Sequence, residues 1–398
     1  TPNQRSVGLM LNSVGNNAAG DLNTVLGIID GLSTYSKVAY ALEQLTPRGS
    51  EALYGMGINV SSFQSGNISE RLSDLRSGIQ GISLAGFSFK SGSFTKSTRE
   101  TPIMLASAGF DPAGMLPSGM NERWGIFIKG NALYGDQKDT SDHTGYDFTG
   151  AGVTIGSDYR FTKSLIAGMM LGFNTSRANV DNRGSKVKMD GYTFGTYATY
   201  YKKGFFIDGQ LSYSISDYDN TRRIVFPGLD RTATSSPKGS QVTIYSLAGY
   251  DIKRNRWTLT PNASLQYVRL AVDSYTEAGA GALNLEVDRQ NLESLQGSMG
   301  AKLSYTWHTG NTFIMPHIRA SYGYEFKGGS QNVTSRLAQG SSPFSIETIS
   351  PDRSFLNLGC GITILARNNT SLYAGYNAQI GEGTYIAHSV NLGLRVGF

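Results

Sequence analysis

The chain has 398 residues, of which 39% are hydrophobic and only 16% charged, so it is suited to a large folded core rather than to disorder. Its 35 Lys and Arg against 30 Asp and Glu give a formal net charge of +5, but the basic residues are scattered, and we expect no nucleic-acid binding. The single cysteine excludes an intramolecular disulfide framework and a cysteine-rich zinc site, whereas 49 Gly and 22 Tyr suit a membrane barrel.

Residues 1–76 have the apolar spacing of helices. Leu22, Val25, Leu26 and Ile29 recur at i, i+3, i+4 and i+7, and a further helix is predicted over Ile68–Arg76. Glycines interrupt the pattern, which argues against single long helices. The first four residues lack the basic and apolar regions of a signal peptide, so we expect that an export signal has been removed.

Residues 77–122 are rich in Gly and Ser and contain three Pro, with no sustained hydrophobic period. Such a composition is typical of a connecting segment. We therefore predict a linker over 77–122 that is partly packed against the rest of the protein.

From Trp124 onward the hydrophobic period changes to two, which is the period of a β-strand. The last strand shows the change most clearly, because large apolar residues alternate with small or polar ones up to the final residue. One face carries Ile386, His388, Val390, Leu392, Leu394, Val396 and Phe398.

Twelve such strands are predicted, and short connections alternate with long ones between them. The predicted strands lie near 124–134, 146–159, 165–178, 186–202, 204–218, 240–254, 256–273, 291–308, 312–326, 353–366, 370–380 and 384–398. Short turns at one end and long loops at the other are the pattern of outer-membrane barrels. In that orientation the first strand runs outward and Phe398 ends in the periplasm.

A soluble sandwich or barrel would also show alternation, with its large residues inside. The opposite faces of these strands are filled with Ser, Asn, Asp, Gln and Gly, which indicates a wide, wet lumen with lipid outside. The fold class is therefore an all-β membrane protein, a 12-stranded antiparallel transmembrane β-barrel over residues 123–398. A transmembrane helix is not predicted, because no run of 18 apolar residues occurs.

Several stretches, taken in order, resemble the C-terminal translocator β-domain of type Va autotransporters. They are 124–130 (WGIFIKG), 152–159, 274–280 (SYTEAGA), 311–324 and the terminal GLRVGF at 393–398. The resemblance implies a barrel in the bacterial outer membrane, with an α-helical segment that plugs the lumen and leads outward to an exported N-terminal passenger. The helical prelude 1–76, with a lumen helix at about 67–76, suits that arrangement.

The resemblance also implies roles for individual residues. Arg71, Asp74 and Arg76 match the plug-helix motif of the enteric serine-protease autotransporters, whereas Gly66 replaces the Asn at which those proteins cleave their passenger. Glu277 matches an acidic position of the family and is predicted to pair with Arg71 or Arg76 across the lumen, since a charge there needs a partner. A solvated loop carboxylate is the alternative.

The terminal strand resembles the signal that the barrel-assembly machinery reads, because it ends in an aromatic residue preceded by alternating large apolar ones. The predicted signal residues are Val390, Leu392, Leu394, Val396 and Phe398. Ordinary lipid-facing strand chemistry would give the same alternation. The expected partners are outer-membrane lipids, lipopolysaccharide, the barrel-assembly machinery and the chain's own passenger, and we expect a monomer.

We expect no enzymatic activity, metal or cofactor. The four His have no metal-ligand spacing, and no nucleophile-elbow, zinc-protease or phosphate-loop motif occurs. The alternative function is a self-contained outer-membrane adhesin or receptor that acts through the long loops 219–239 and 327–352. A barrel enzyme of the outer membrane is a third alternative. The helical prelude favours the translocator, because a pore or a barrel enzyme needs no helix before its first strand.

Overall fold

The structure, a computed structural model, describes residues 1–15, 18–76, 82–84, 123–140, 144–180, 184–309, 312–350, 352–365, 371–383 and 385–396. The predicted linker lies outside these residues except for 82–84. Among the described residues, no helix combines the length and the apolar character that crossing a membrane requires.

Twelve strands of the described chain form one antiparallel sheet in which each strand pairs with the next. They are β1 (Trp124–Gln137), β2 (Tyr146–Arg160), β3 (Leu165–Asn179), β4 (Lys186–Lys202), β5 (Phe205–Phe226), β6 (Lys238–Tyr250), β7 (Trp257–Val272), β8 (Gln290–Tyr305), β9 (Thr312–Glu325), β10 (Ser354–Leu365), β11 (Ser371–Gly381) and β12 (Tyr385–Val396). β1 pairs with β12 from Gly130 opposite Leu392 to Gln137 opposite Tyr385, so the sheet closes. The prediction of a twelve-stranded antiparallel barrel is confirmed.

The two ends of the barrel differ. At one end, the connections between strands are short and include the small strands Ile252–Arg254 and Trp307–Thr309. We call this end the inner rim, because the predicted orientation places it at the periplasm, and the other end the outer rim. At the inner rim, Ile82–Leu84 pairs with the ends of both β1 and β12. At the outer rim, β5 continues past the barrel and turns back through Leu229–Ser235.

A small second sheet stands above the outer rim. Its strands are Tyr275–Thr276, Leu285–Val287, Asn332–Leu337 and Phe344–Glu347, with a 3₁₀ turn at Gly281–Leu283. These segments belong to the two long connections after β7 and β9.

Three N-terminal helices pack on these outer segments. They are α1 (Pro2–Gly15), α2 (Gly20–Asp30) and α3 (Tyr35–Gln44). Their apolar faces share one buried cluster with the β5 extension and the second sheet, and its members include Val7, Val25, Ala41, Ile224, Leu285 and Val333. We call α1–α3 together with residues 222–235, 275–287 and 332–347 the outer cap. Because this apolar surface is buried against loops of the barrel, the hydrophobic effect holds the helices on the barrel.

The fourth helix, α4 (Ser50–Arg76), passes through the lumen. Its first turns lie at the outer rim, where the Tyr54 hydroxyl donates a hydrogen bond to Gln290 at 2.9 Å. Its last residue, Arg76, reaches Asp208 near the inner end of β5. Twenty-seven residues of α-helix extend about 40 Å, which is enough to cross the barrel from rim to rim. The helix that we expected at about 67–76 is the last part of this longer helix.

The outer cap and the barrel have separate cores, so a change in one core should spare the other. We expect Val25→Asp, which places a carboxylate in the core of the cap, to expose residues 1–49 to protease while the barrel keeps its heat-modifiable mobility in SDS gels. Leu9→Asp is the matched control, because Leu9 is also on a cap helix but is 62% exposed. Equal protease sensitivity of the two variants would contradict the burial of α2.

Candidate functional site: the plugged lumen

The inner half of α4 is held by ion pairs to the barrel wall. Arg71 binds Asp158 of β2 through two parallel contacts, Nε to Oδ2 at 2.9 Å and Nη2 to Oδ1 at 3.1 Å. Both side chains are almost completely buried. The Tyr197 hydroxyl donates a further hydrogen bond to Asp158 at 3.3 Å. A Cβ on Gly125 would overlap this pair, so only a glycine leaves room for it on β1.

Arg76 forms the second ion pair, with Asp208 of β5. Its guanidinium also donates to Thr199 at 3.3 Å and lies 3.8 Å from the ring centroid of Phe206, which is a cation–π contact. The end of the helix is therefore attached to β4 and β5.

Glu70 reaches another part of the lumen wall. Its carboxylate lies 3.4 Å from Lys129 of β1 and 3.2 Å from Arg319 of β9, and it accepts a 2.5 Å hydrogen bond from the Tyr373 hydroxyl of β11. Lys302 of β8 donates to Ser73 at 3.4 Å. Acidic wall residues face the arginines of α4 and basic wall residues face its glutamate, so the charges determine how the helix is rotated about its axis.

The outer half of α4 packs through apolar side chains. Leu53, Met56 and Val60 share a buried cluster with Phe148 of β2 and Leu270 of β7, among others. In the inner half, Ile68, Leu72 and Leu75 form a further buried apolar cluster with the wall, so apolar contacts run along the whole helix and the ion pairs described above add to them in its inner half.

A polar cavity of about 700 Å³ remains beside the helix. It is lined by small polar residues of α4, such as Ser62, Ser65 and Ser69, and by Ser, Thr, Asn and Gln side chains of the wall. Its lining includes Lys253 and Thr258, which lie at the inner rim. A cavity of this size and polarity holds water.

The structure places the residues predicted for the lumen as follows. Arg71 and Arg76 lie in the lumen, and their partners are Asp158 and Asp208. Asp74 lies in α4, and its side chain is outside the described part of the chain. Gly66 lies in the same helix and lines the cavity.

The predicted pairing of Glu277 with Arg71 or Arg76 is wrong. Glu277 belongs to the connection after β7, in the outer cap, whereas both arginines lie in the inner half of the lumen. The partner of Glu277 is Arg222 in the β5 extension, with contacts of 2.8 and 2.5 Å. The sequence predicts that an acidic residue in the barrel needs a partner of opposite charge. The height of that residue along the barrel decides which basic residue it contacts.

The Arg222–Glu277 pair joins three parts of the outer cap. Arg222 also donates to the carbonyl oxygens of Gln44, at the end of α3, and of Leu283. Glu277 accepts a hydrogen bond from the backbone amide of Leu285 at 2.9 Å. A buried ion pair with its remaining hydrogen-bonding capacity satisfied is costly to break, because the surviving partner stays buried and charged.

A second ion pair attaches α2 to the cap. Asp21 contacts both terminal nitrogens of Arg231, at 2.6 and 2.7 Å, and accepts from the backbone amide of Ala282 at 2.8 Å. The hydrogen bonds from Arg231 and Ala282 lower the pKa of Asp21 to about 2.

The residues predicted for the assembly signal lie on or beyond β12. Val390 and Leu392 are about two-fifths exposed on the outside of the barrel. The side chains of Leu394 and Val396 and the whole of Phe398 are outside the described residues. In the part of the chain that the structure covers, no group of three or more His, Cys, Asp or Glu side chains is placed to hold a metal ion.

Residues 126–377 match the family model described as "Autotransporter beta-domain". That match covers more than half of the sequence and nearly the whole barrel. The chain belongs to the autotransporter β-domain family. It is an outer-membrane translocator barrel, and the predicted family, fold and bacterial outer-membrane location are confirmed.

Individual relatives agree with this assignment. Esterase EstA of Pseudomonas aeruginosa is 25% identical over 281 residues, which cover 69% of this chain and 43% of EstA. Outer membrane protein A of Rickettsia conorii is 27% identical over 297 residues, 70% of this chain and 14% of that protein. The chain therefore spans less than half the length of these curated relatives.

Among solved structures, the translocator domain of the autotransporter NalP from Neisseria meningitidis has the same fold. The two superpose with a TM-score of 0.55 and 19% identity, over 71% of this chain and 90% of that domain.

The sequence analysis did not predict Glu70 or the wall residues that pair with α4. Asp158, Asp208, Lys129 and Arg319 are charged residues at lumen-facing strand positions. A charge at such a position requires a partner, and that signal was available in the alternation of the strands.

The Arg71–Asp158 pair predicts that the effects of substituting its two residues on the free energy of unfolding are strongly non-additive. We expect Arg71→Met to destabilise the plugged barrel by about 3–5 kcal/mol, because Asp158 is left buried and charged, and Arg71→Met with Asp158→Leu to recover most of that loss. Equilibrium unfolding by urea in lipid vesicles measures both. Arg223→Met is the control, because it breaks the exposed pair with Asp230 and should have a much smaller effect. If the effects of Arg71→Met and Asp158→Leu on the free energy of unfolding were additive, the pairing would be contradicted.

The Asp21–Arg231 pair predicts an acid-sensitive outer cap. Folding lowers the pKa of Asp21 from its ordinary value of 3.8 to about 2, so the carboxylate contributes stability above about pH 4 and loses it as the pH falls towards 2. Hydrogen exchange of α2 amides between pH 5 and pH 2 should show this loss. Asp21→Asn should remove this part of the pH dependence. An unchanged pH profile in that variant would contradict the assignment.

Proposed function

We propose that this chain exports an N-terminal passenger to the cell surface and then anchors it there. The observation that carries the proposal is the direction of α4. The helix crosses the lumen from Ser50 at the outer rim to Arg76 at the inner rim, so every described residue before Ser50 lies on the outer side of the barrel. A polypeptide that precedes the helix would then be displayed outside the cell while the barrel holds its C-terminal end.

We propose further that α4 plugs the barrel after export. Water and ions cross a protein only along a continuous polar path. The cavity beside α4 is polar and is lined by the helix only from Asn59 onward, whereas the turns before Asn59 pack through the apolar cluster of Leu53 and Met56 with the wall. The outer cap covers the same end. This arrangement supports a closed barrel rather than an open pore.

Other parts of the proposed function concern partners and chemistry. We propose that β12 ends in a signal for the barrel-assembly machinery, that the outside of the barrel contacts lipopolysaccharide, and that the barrel functions as a monomer. We also propose that this chain catalyses no reaction itself. The long connections that a receptor would use are engaged in the outer cap, where Val333 and Ile346 pack against the helices.

A protease site and an epitope placed before Thr1 test export. We expect the epitope to be released from intact cells by external protease. Release only after the outer membrane is permeabilised would overturn the proposed export. Deletion of Phe398 should prevent surface display and leave the protein in the periplasm, and normal display would remove the signal assignment.

Planar-bilayer conductance of two deletion variants tests whether α4 plugs the barrel. Deletion of residues 1–49 should leave the conductance low, because α4 and its apolar cluster remain. Deletion of residues 1–76 should raise it severalfold. Equal conductance of the two deletions would show that α4 does not close the barrel.

A further inference from the structure

Exposed cations lie in and beside three consecutive turns at the inner rim of the barrel. These turns connect β2 to β3, β4 to β5 and β6 to β7, and neighbouring turns are two strand spacings, or about 10 Å, apart. The exposed cations are Lys163, Lys202, Lys203, Arg254 and Arg256. In the part of the chain that the structure describes, none of the five forms an ion pair.

Among the described residues, no carboxylate compensates this charge on the outside of the rim. Asp158 and Asp208, which belong to β2 and β5, are buried against the arginines of α4. Asp251 lines the lumen cavity together with Lys253. The segment 77–122 contains basic and acidic residues in equal number, Lys90, Lys96 and Arg99 against Glu100, Asp111 and Glu122. Positive charge therefore remains on the outer surface of these turns.

Aromatic residues beside these cations show where they lie relative to the membrane. Lys202 is directly opposite Phe205, and Phe205 is directly opposite Tyr250. Arg254 is directly opposite Trp257. The three aromatic side chains are about half exposed on the outside of the barrel, and paired residues of neighbouring strands share a face of the sheet. Exposed aromatic residues mark the membrane interface, so Lys202 and Arg254 are level with the lipid headgroups.

The turn between β4 and β5 disfavours the lysine that it contains. Its two central residues, Lys203 and Gly204, have φ angles of 52° and 89°. Turns of this kind favour Asn, Asp or Gly at both positions. The next turn follows that preference with Asn255, at a φ of 55°. The backbone conformation therefore does not account for Lys203, which is consistent with a role for its charge.

We propose that Lys202, Lys203, Arg254 and Arg256 form a binding site for the phosphate groups of anionic phospholipids in the periplasmic leaflet. A guanidinium binds a phosphate through two parallel hydrogen bonds, and lysines add point charges beside it. A zwitterionic lipid binds less well, because its own cation compensates its phosphate. This inference rests on the orientation proposed above, in which the inner rim faces the periplasm.

Fluorescence quenching by brominated lipids tests the site in vesicles of the full chain. Trp124→Phe with Trp307→Phe leaves Trp257, opposite Arg254, as the only tryptophan. The probes are phosphatidylglycerol and phosphatidylcholine with the same brominated acyl chains. We expect phosphatidylglycerol to be favoured at Trp257 by roughly fivefold, and Lys202→Gln with Arg254→Gln to bring this ratio close to one. Equal quenching by the two lipids before those substitutions would overturn the proposal.

A matched control separates the site from net charge. In the same background, Arg177→Gln with Lys186→Gln removes two exposed cations from the outer rim, and the lipid ratio at Trp257 should not change. An equal loss of preference in the two double variants would overturn the site.

Surface display of the epitope before Thr1 is measured in parallel and distinguishes this inference from the proposed function. If display fails while Trp257 keeps its lipid preference, the export proposal fails and the lipid site stands. If display is normal and the preference is absent, the lipid site fails and the export proposal stands.

Discussion

A backbone amide in the hydrocarbon core of a membrane has no water to bond to, so a sheet that spans the membrane must close on itself. The pairing of β1 with β12 satisfies that constraint here. Closure of twelve strands creates a lumen, and the alternation that presents apolar residues to lipid necessarily presents small and polar residues to that lumen. The rest of the structure, from the helix in the lumen to the cap above it, fills or covers the space that closure leaves.

The helix α4 fills the lumen through two kinds of contact. Its outer half excludes water with apolar side chains such as Leu53 and Met56. Its inner half is held by Arg71, Arg76 and Glu70, whose charges are matched by opposite charges on different strands. An apolar contact tolerates sliding and rotation, whereas a buried ion pair with two parallel contacts does not. The ion pairs of the inner half therefore orient the helix, and the apolar contacts along its length, which include Ile68, Leu72 and Leu75 in the inner half, pack it against the wall.

The outer cap shows that residues 1–49 are part of the barrel's architecture. Their buried apolar faces share one cluster with residues of the connections after β5, β7 and β9. The Arg222–Glu277 pair links three of these pieces at one point. Because α4 follows α3 directly, a cap that stays folded on the outside also opposes withdrawal of α4 into the periplasm.

The sequence alone determined the twelve strands, their order and their orientation, because a strand's period of two and the lengths of its turns are local properties. It also placed Arg71 and Arg76 in the lumen, through a motif. Only the tertiary structure decided their partners, since Asp158 and Asp208 lie 87 and 132 residues further along the chain and the stagger of the barrel sets the height of each. The length of α4 was also decided by the tertiary structure. Glycine interrupts a helical pattern in sequence, yet Gly55 stays within the helix, where a Cβ would overlap the Tyr146 hydroxyl on the facing wall. A prediction from local sequence takes into account only the low helix propensity of glycine. The close approach of the helix to the wall, which requires glycine, exists only in the closed barrel.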